Sequence, residues 1–438
     1  MSNETIFREV DEELRGDRMR AIWRRFGPYI IGAAVAVVLI VAANEGWSWW
    51  QNSTAARSSD QFYAALELAE RGDSESALTA LNEVVAEGSG GYPTLARFRQ
   101  TGLGLLADLV RRPRFDAGEF ERVRQLRANR LRQLRDIPSA TADRAFASAL
   151  YGRHPYGHLA IGTSDALGTM TIDEVRALHR RAYRPSRAVL IVVGRAPHAQ
   201  VVDEIATAFA DWADPSDAAA TPPAVDAPEP PAHRMWLVDR PGAAQSELRL
   251  GHVAVSRRTP DYHALLLVNL VLGGQFVSRL NMNLREHKGY TYGARSWFEF
   301  RLGPGPFQMS ASVETDVTAD AMREAIGEMT AIAGARAITT SELETARPTL
   351  TRGYPRNFET TDQMARSVAQ LALYDLDDHY FAEFVPRVAG LSLDAVRSAA
   401  ASHLHPDRLM AVVVGDAQRV APTLEAIGLG VPRPLEVP

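Results

Sequence analysis

Apolar residues are spaced in three different ways along the chain, and each spacing predicts a different kind of structure. From Phe26 to Ala43 (FGPYIIGAAVAVVLIVAA) eighteen residues carry no charge. As a helix this run reaches about 27 Å at ~1.5 Å per residue, close to the ~30 Å hydrocarbon core of a bilayer. Arg15, Arg18, Arg20, Arg24 and Arg25 precede it, no basic residue follows until Arg57, and Trp47, Trp49 and Trp50 stand where an interfacial belt belongs. The pattern predicts a cytoplasmic segment over 1–25, a transmembrane anchor within 26–50, and the bulk of the chain on the periplasmic, extracytoplasmic side of the inner membrane. A cleaved leader fits less well, because its n-region is long and begins with Glu4, Glu9, Asp11, Glu12 and Glu13. A buried core helix is the remaining alternative.

The second spacing is amphipathic. Phe62, Ala65, Leu66 and Ala69 recur at helical intervals before the break at Arg71-Gly72-Asp73, and Ala77, Leu78, Leu81, Val84 and Val85 repeat the stripe up to Gly88-Ser89-Gly90-Gly91. A third helix opens at Tyr92-Pro93-Thr94, with proline in its first turn. Residues 58–100 therefore predict a partial tetratricopeptide-like unit, about half of what such a solenoid needs to bury a continuous core.

The third spacing is a helix followed by a short run of consecutive apolar residues, and it occurs twice. IDEVRALHRRAYRPSRAVLIVVGRA from Ile172 matches LDAVRSAAASHLHPDRLMAVVVGDA from Leu393. Asp173 pairs with Asp394, Val175 with Val396, Arg176 with Arg397, Pro185 with Pro406 and Gly194 with Gly415, at a constant offset of 221. Each copy predicts a helix, a proline stop and a buried strand ending at glycine. The expected fold class is α+β: two tandem α/β lobes over 103–212 and 234–432, separated by the proline-rich linker 213–233 and preceded by the anchor and helical hairpin. Met235 lies 159 residues before Asp394, whereas Leu103 lies only 70 before Asp173, so the first lobe is truncated by about 90 residues relative to the second. Losing strands exposes an edge and part of a core, so an unstable first lobe is expected.

Composition narrows the chemistry. The 438 residues are 46% hydrophobic and 23% charged, which excludes a mainly disordered chain, and the net charge of -5 argues against nucleic acid as a partner. There is no cysteine, so thiolate metal sites, disulfides and thiol nucleophiles are excluded together. His154 and His158 in HPYGH have the spacing of metal ligands, but Pro155 and Gly157 make this a loop rather than a ligand-bearing helix.

Residues 1–100, with an Arg-rich approach, one apolar run, WSWWQ, a helical hairpin and GYPTLARFR, resemble the membrane-anchored tetratricopeptide proteins related to the ancillary subunit of the SecYEG translocon. Residues 103–430 resemble the insulinase/pitrilysin-like metallopeptidases, through LLADLVRRPRFDAGEFERVR (Leu105–Arg124), LYGRHPYG (Leu150–Gly157) and GGQFVSRLNMNLREHKGYTYGA (Gly273–Ala294). Active members hold zinc with HxxEH and a later Glu. HxxEH is absent here, and the resemblance places Arg130 at the third-ligand position and Val123 at the preceding acidic one. A guanidinium cannot ligate zinc. The resemblance implies that Arg285 and Tyr292, in LREHKGYTY, contact the substrate carbonyl in the transition state, with Tyr290 as a same-face fallback. Gly273-Gly274 is expected to permit close helix approach.

Some members divide the work between a zinc-bearing chain and a chain without metal. The resemblance therefore implies no cofactor on this chain, zinc on a partner subunit in a heterodimer, a peptide substrate bound as an added strand, and no hydrolytic activity for the chain alone. Two other readings stay open. One is an envelope or translocon interaction protein working through its helical hairpin; the other is a fusion of two unrelated genes near residue 100.

Overall fold

The computed structural model describes residues 57–68, 74–88, 92–194, 197–214 and 231–437. The expected cytoplasmic segment 1–25 and anchor 26–50 lie outside the described residues, as does most of the linker 213–233. Before the second lobe the described chain is helical: 57–68 (α1), Ser74–Glu87 (α2), Tyr92–Arg111 (α3), Ala117–Arg135 (α4), Pro138–Tyr151 (α5), Ser164–Thr169 (α6), Ile172–Ala182 (α7) and His198–Ala208 (α8). The chain divides into two compact units, Met1–Pro113 with Arg195–Trp212 and Arg114–Gly194 with Ala213–Pro438.

In the first unit the two stripes read from the sequence meet. Phe62 and Ala65 of α1 form one buried cluster with Leu81 and Val84 of α2. Helix α3 runs without a break past Leu103 and is tied to α8 by Arg111, whose guanidinium donates to the Ala208 carbonyl at 2.6 Å.

The second unit is built on a mixed sheet of Met235–Asp239 (β1), Gln245–Val253 (β2), Thr291–Phe298 (β3), Pro306–Glu314 (β4), Met410–Gly415 (β5) and Arg433–Pro434 (β6), in the order β3-β4-β2-β5-β1-β6. β5 pairs parallel with β1 and antiparallel with β2. All six of its residues are buried. Its alternation explains why the sequence shows an unbroken apolar run: Ala411 and Val413 face the main core, while Met410, Val412 and Val414 face the other side.

Helices Tyr262–Asn269 (α9), Arg279–Asn281 (α10), Thr318–Ala333 (α11), Thr340–Gly353 (α12), Thr361–Tyr374 (α13), Tyr380–Gly390 (α14), Leu393–His403 (α15) and Ala417–Leu424 (α16) complete this lobe. Most of them layer over the core face of the sheet, through residues such as Leu265, Met329, Leu343, Val396 and Leu424. The apolar segment Tyr262–His287 is long enough by composition to cross a membrane, but 61% of its most apolar window is buried in this protein, and it serves as a core helix. The other sheet face is covered by α5. Phe146 and Leu150 pack on Val412 and Val414, and the buried Arg249 of β2 bonds Asp143 at 2.6 Å and the Ser139 carbonyl at 3.1 Å.

The first lobe departs from expectation. Its copy of the repeat gives the helix (α7) and the proline stop (Pro185–Arg187), but the strand expected over 188–193 does not form, and no strand occurs among the described residues of 103–212. Val189 is 68% and Val192 53% exposed. The physical reason is the lack of neighbouring strands. The counterpart β5 is held by β1 and β2, and no equivalent of either occurs among the described residues before β1.

Candidate functional site

Tyr262 begins an apolar helix that widens into a π-helical turn at Leu270–Gly274, and a second π turn, Met282–His287, follows α10. Such turns re-aim side chains and concentrate at functional positions. The glycine pair is a packing device, as the sequence suggested. A Cβ on Gly273 would lie 2.6 Å from the Ser296 backbone nitrogen, so only glycine lets the helix close on β3. Ser296 Oγ then donates to Asn269 Oδ1 at 2.8 Å. Asn281 fixes the loop between the helices: its Nδ2 donates to the Gln275 carbonyl at 3.2 Å and its Oδ1 accepts from the Ala294 amide at 2.9 Å.

The chain turns at Gly289, with φ +68, and enters β3, an edge strand. Its pairing with β4 is irregular between Thr291 and Ala294. Thr291 Oγ1 donates to the Ser312 carbonyl at 2.7 Å and accepts from the Gly293 amide at 3.1 Å, which stabilises the bulge. Tyr292 sits in this bulge and is 91% exposed. Its ring shares a groove of about 560 Å³ with Arg285, Phe276, Asn281, Arg295 and Trp297. The Arg285 guanidinium lies 4.5 Å over the Phe276 ring and 3.4 Å from Glu286.

The floor behind the groove is held by charge. Arg279 bonds Glu342 at 2.6 and 2.8 Å, Asn283 donates to Glu324 and Glu328, and Lys288 pairs with Glu324 at 2.9 Å. Burial alone would raise the Glu342 carboxyl, but its bonds to Arg279 and Thr339 outweigh this and bring it down to about 2. These contacts fix the segment carrying Arg285 against α11 and α12, so the guanidinium projects from a stiff support.

Of the residues singled out from sequence, Arg285 and Tyr292 come together in one groove. Tyr290 does not join them: it packs against the main core, because the strand begins after it and the bulge breaks the alternation that would have put both rings on one face. Arg130 is exposed on α4 and donates to Gln133 Oε1 at 3.4 Å, and Val123 is exposed on the same helix. His154 caps a 3₁₀ turn by accepting from the Tyr156 amide. These groups do not fit zinc, and no cluster of three His, Asp or Glu side chains occurs among the described residues. Phe276 and Trp297 were not anticipated; the one signal for Phe276 was an aromatic beside a glycine pair in an exposed loop.

With this geometry in place, residues 169–350, including the groove, match the family described as the peptidase M16 inactive domain. The chain carries a peptidase M16 inactive domain. Residues 20–103 match a tetratricopeptide repeat-like domain. An uncharacterized zinc protease of Mycobacterium leprae is 26% identical over 254 residues, 58% of this chain and 57% of that protein. One of Bacillus subtilis is 24% identical over 60% of this chain and 63% of that protein. The chain thus spans under two thirds of either relative. The crystal structure of a peptidase M16 inactive domain from Pseudomonas fluorescens shares the fold, with 24% identity, 77% of each chain covered and a TM-score of 0.67.

Proposed function

We propose that the chain is a non-catalytic, membrane-anchored M16 subunit that helps bind peptide and stabilise the transition state for a zinc-bearing partner. The observation that carries this reading is the pairing of Arg285 and Tyr292 in one groove beside the free edge of β3. A sheet edge offers backbone donors and acceptors to an extended peptide. A fixed guanidinium and a phenolic hydroxyl beside that edge donate hydrogen bonds where a peptide carbonyl gains negative charge. No cluster that could hold zinc occurs among the described residues, so activation of water falls to the partner. The exposed Phe276 in the groove, with exposed Val277 next to it in sequence, suits a surface that a partner covers.

The anchor over 26–50 and the positive-inside arginines support a single-pass inner-membrane placement with both M16 lobes, the first truncated, on the periplasmic side. The test is co-expression with an HxxEH-bearing M16 chain, followed by purification from membranes and metal analysis. The reading expects a stable pair with one zinc per pair and none on this chain alone; stoichiometric zinc on the lone chain contradicts it. A second reading, recruitment of envelope proteins by the helical hairpin, is favoured by the match of residues 20–103 to a tetratricopeptide-like domain. It expects Arg285→Ala to leave every phenotype unchanged.

A further inference from the structure

The internal repeat extends further than helix and strand. Aligning Asp116-Ala-Gly-Glu119 at the start of α4 with Thr339-Thr-Ser-Glu342 at the start of α12, both N-capped turns, also matches Glu121 with Glu344 and Arg124 with Arg347 at an offset of 223. Helix α4 is therefore the counterpart of α12, as α7 is of α15. In the second lobe Ile338, Leu343, Ala346 and Val396 are all fully buried in the main core. What buries them includes α9, which packs against both α12 and α15.

The counterparts of those four residues in the truncated lobe are Phe115, Phe120, Val123 and Val175. They line an apolar groove of about 450 Å³ between α4 and α7, and among the described residues no helix takes the position of α9. Val123 is 43% exposed, and α7 buries none of its residues. Phe115 adopts φ +46, a conformation a bulky side chain rarely takes, and its carbonyl accepts from Arg176. The rim mixes charges with cation in excess: Arg114, Arg124 and Arg127 line it together with Asp116 and Glu119, and Glu119 is paired with Arg122 and Arg124 with Glu121. Arg114 and Arg127 line the groove and have no carboxylate partner among the described residues, and residues 114–194 hold fourteen Arg against eight Asp and Glu.

We propose that the α4–α7 groove is a docking site for an amphipathic helix of a partner protein, with its apolar face toward Val123 and Val175 and acidic residues along its flanks. The second lobe shows that an equivalent surface is filled by an apolar helix. The arginine rim selects against basic flanks and for acidic ones. The site is separate from the Arg285 groove and does not depend on a role in proteolysis.

The test uses the full chain in mild detergent and a fluorescent peptide with the sequence of residues 262–274 (YHALLLVNLVLGG) bracketed by two glutamates on each side. Anisotropy is expected to show saturable binding, and lysine-bracketed or scrambled peptides to bind at least about tenfold more weakly. Val123→Asp, at an exposed position, is expected to weaken binding about tenfold or more by placing a charge on the apolar floor. Arg127→Glu should weaken it about threefold at low salt and hardly at all near 0.5 M, where screening is strong. Arg285→Ala should leave binding unchanged. Equal binding of the scrambled peptide, or full binding by both V123D and R127E, overturns the proposal. So does binding that appears only after residues 215–230 are deleted, since the chain's own acidic linker would then be the occupant. A dimer that V123D converts to monomer overturns it in favour of a second copy.

Discussion

Removing the Phe146 ring measures how far α5 has become part of the sheet's core. Phe146 belongs to α5, which lies outside the M16 match at 169–350, yet it is 2% exposed and packs on β5. Gly251 of β2 leaves room for it, since a Cβ there would lie 2.8 Å from the Phe146 ring carbon and 2.1 Å from the Phe307 carbonyl oxygen. Phe→Ala in a packed core costs about 3–5 kcal/mol, the transfer term plus the cavity left behind. The upper half of that range is expected here, because the wall opposite is strand backbone that cannot collapse into the space. Asp143→Asn should cost less, about 1–2 kcal/mol, because Asp143 is half exposed and Arg249 keeps Glu247 at 3.0 Å. Guanidinium unfolding of the full chain, read at unchanged m-value, gives both numbers. Phe276→Ala, at a 60% exposed position, is the control and should stay within about 0.5 kcal/mol. A loss below about 1 kcal/mol for F146A would refute the idea that α5 forms the second wall of the sheet.

Acid should loosen the same lobe. Burial pushes the His252 imidazole from 6.5 down to about 4, and its neutral form is already bonded, with Nδ1 to the Val253 carbonyl at 2.9 Å and Nε2 accepting from the His405 amide at 3.2 Å. Between those values the unfolded chain binds more protons, so stability is full above about pH 6.5 and falls toward pH 4, by on the order of 3 kcal/mol for this group. His263, also buried, is pushed to about 4 and adds to the slope, so His252→Gln should remove roughly half of it, and an unaltered slope contradicts the assignment. The largely exposed run 188–193 has both faces apolar and no sheet partner among the described residues, so Val192→Lys should lower concentration-dependent association in light scattering, and no change would show that this segment is not the sticky edge. Glu342→Gln removes an ion pair whose carboxylate is held down at about 2, and should loosen the Arg285 support and weaken peptide binding without unfolding the sheet, as checked by circular dichroism.

Much of this fold could be read from residue order because the duplicated pattern is local. The apolar run at β5, the helix before it and the hairpin stripes of α1 and α2 depend on spacing within a dozen residues, and all of them form. The same pattern failed at 188–193 because a strand is a tertiary object, and only its neighbours decide whether it exists. Tyr290 was misplaced for a related reason: alternation holds until a bulge, and the bulge rests on Thr291 bonding a carbonyl twenty-one residues away. No local signal marks Arg249 for Asp143, or Phe146 for the bare backbone of Gly251, since those partners are more than a hundred residues apart. The groove pairing of Arg285 and Tyr292 was legible only through family resemblance; the glycines and asparagines that build it have no chemistry of their own.

In the proposed role this M16-like domain supplies transition-state contacts, and its partner the metal. The most direct test of that role is hydrolysis of a quenched fluorogenic peptide by this chain alone, by a zinc-bearing M16 chain alone, and by the two together. Turnover is expected from the pair and not from this chain alone, with a fall of about 10²–10³ in kcat for the pair when Arg285→Ala or Tyr292→Phe is introduced. Chelator-sensitive turnover by the isolated chain, or a pair as active with R285A as without it, would contradict the claim.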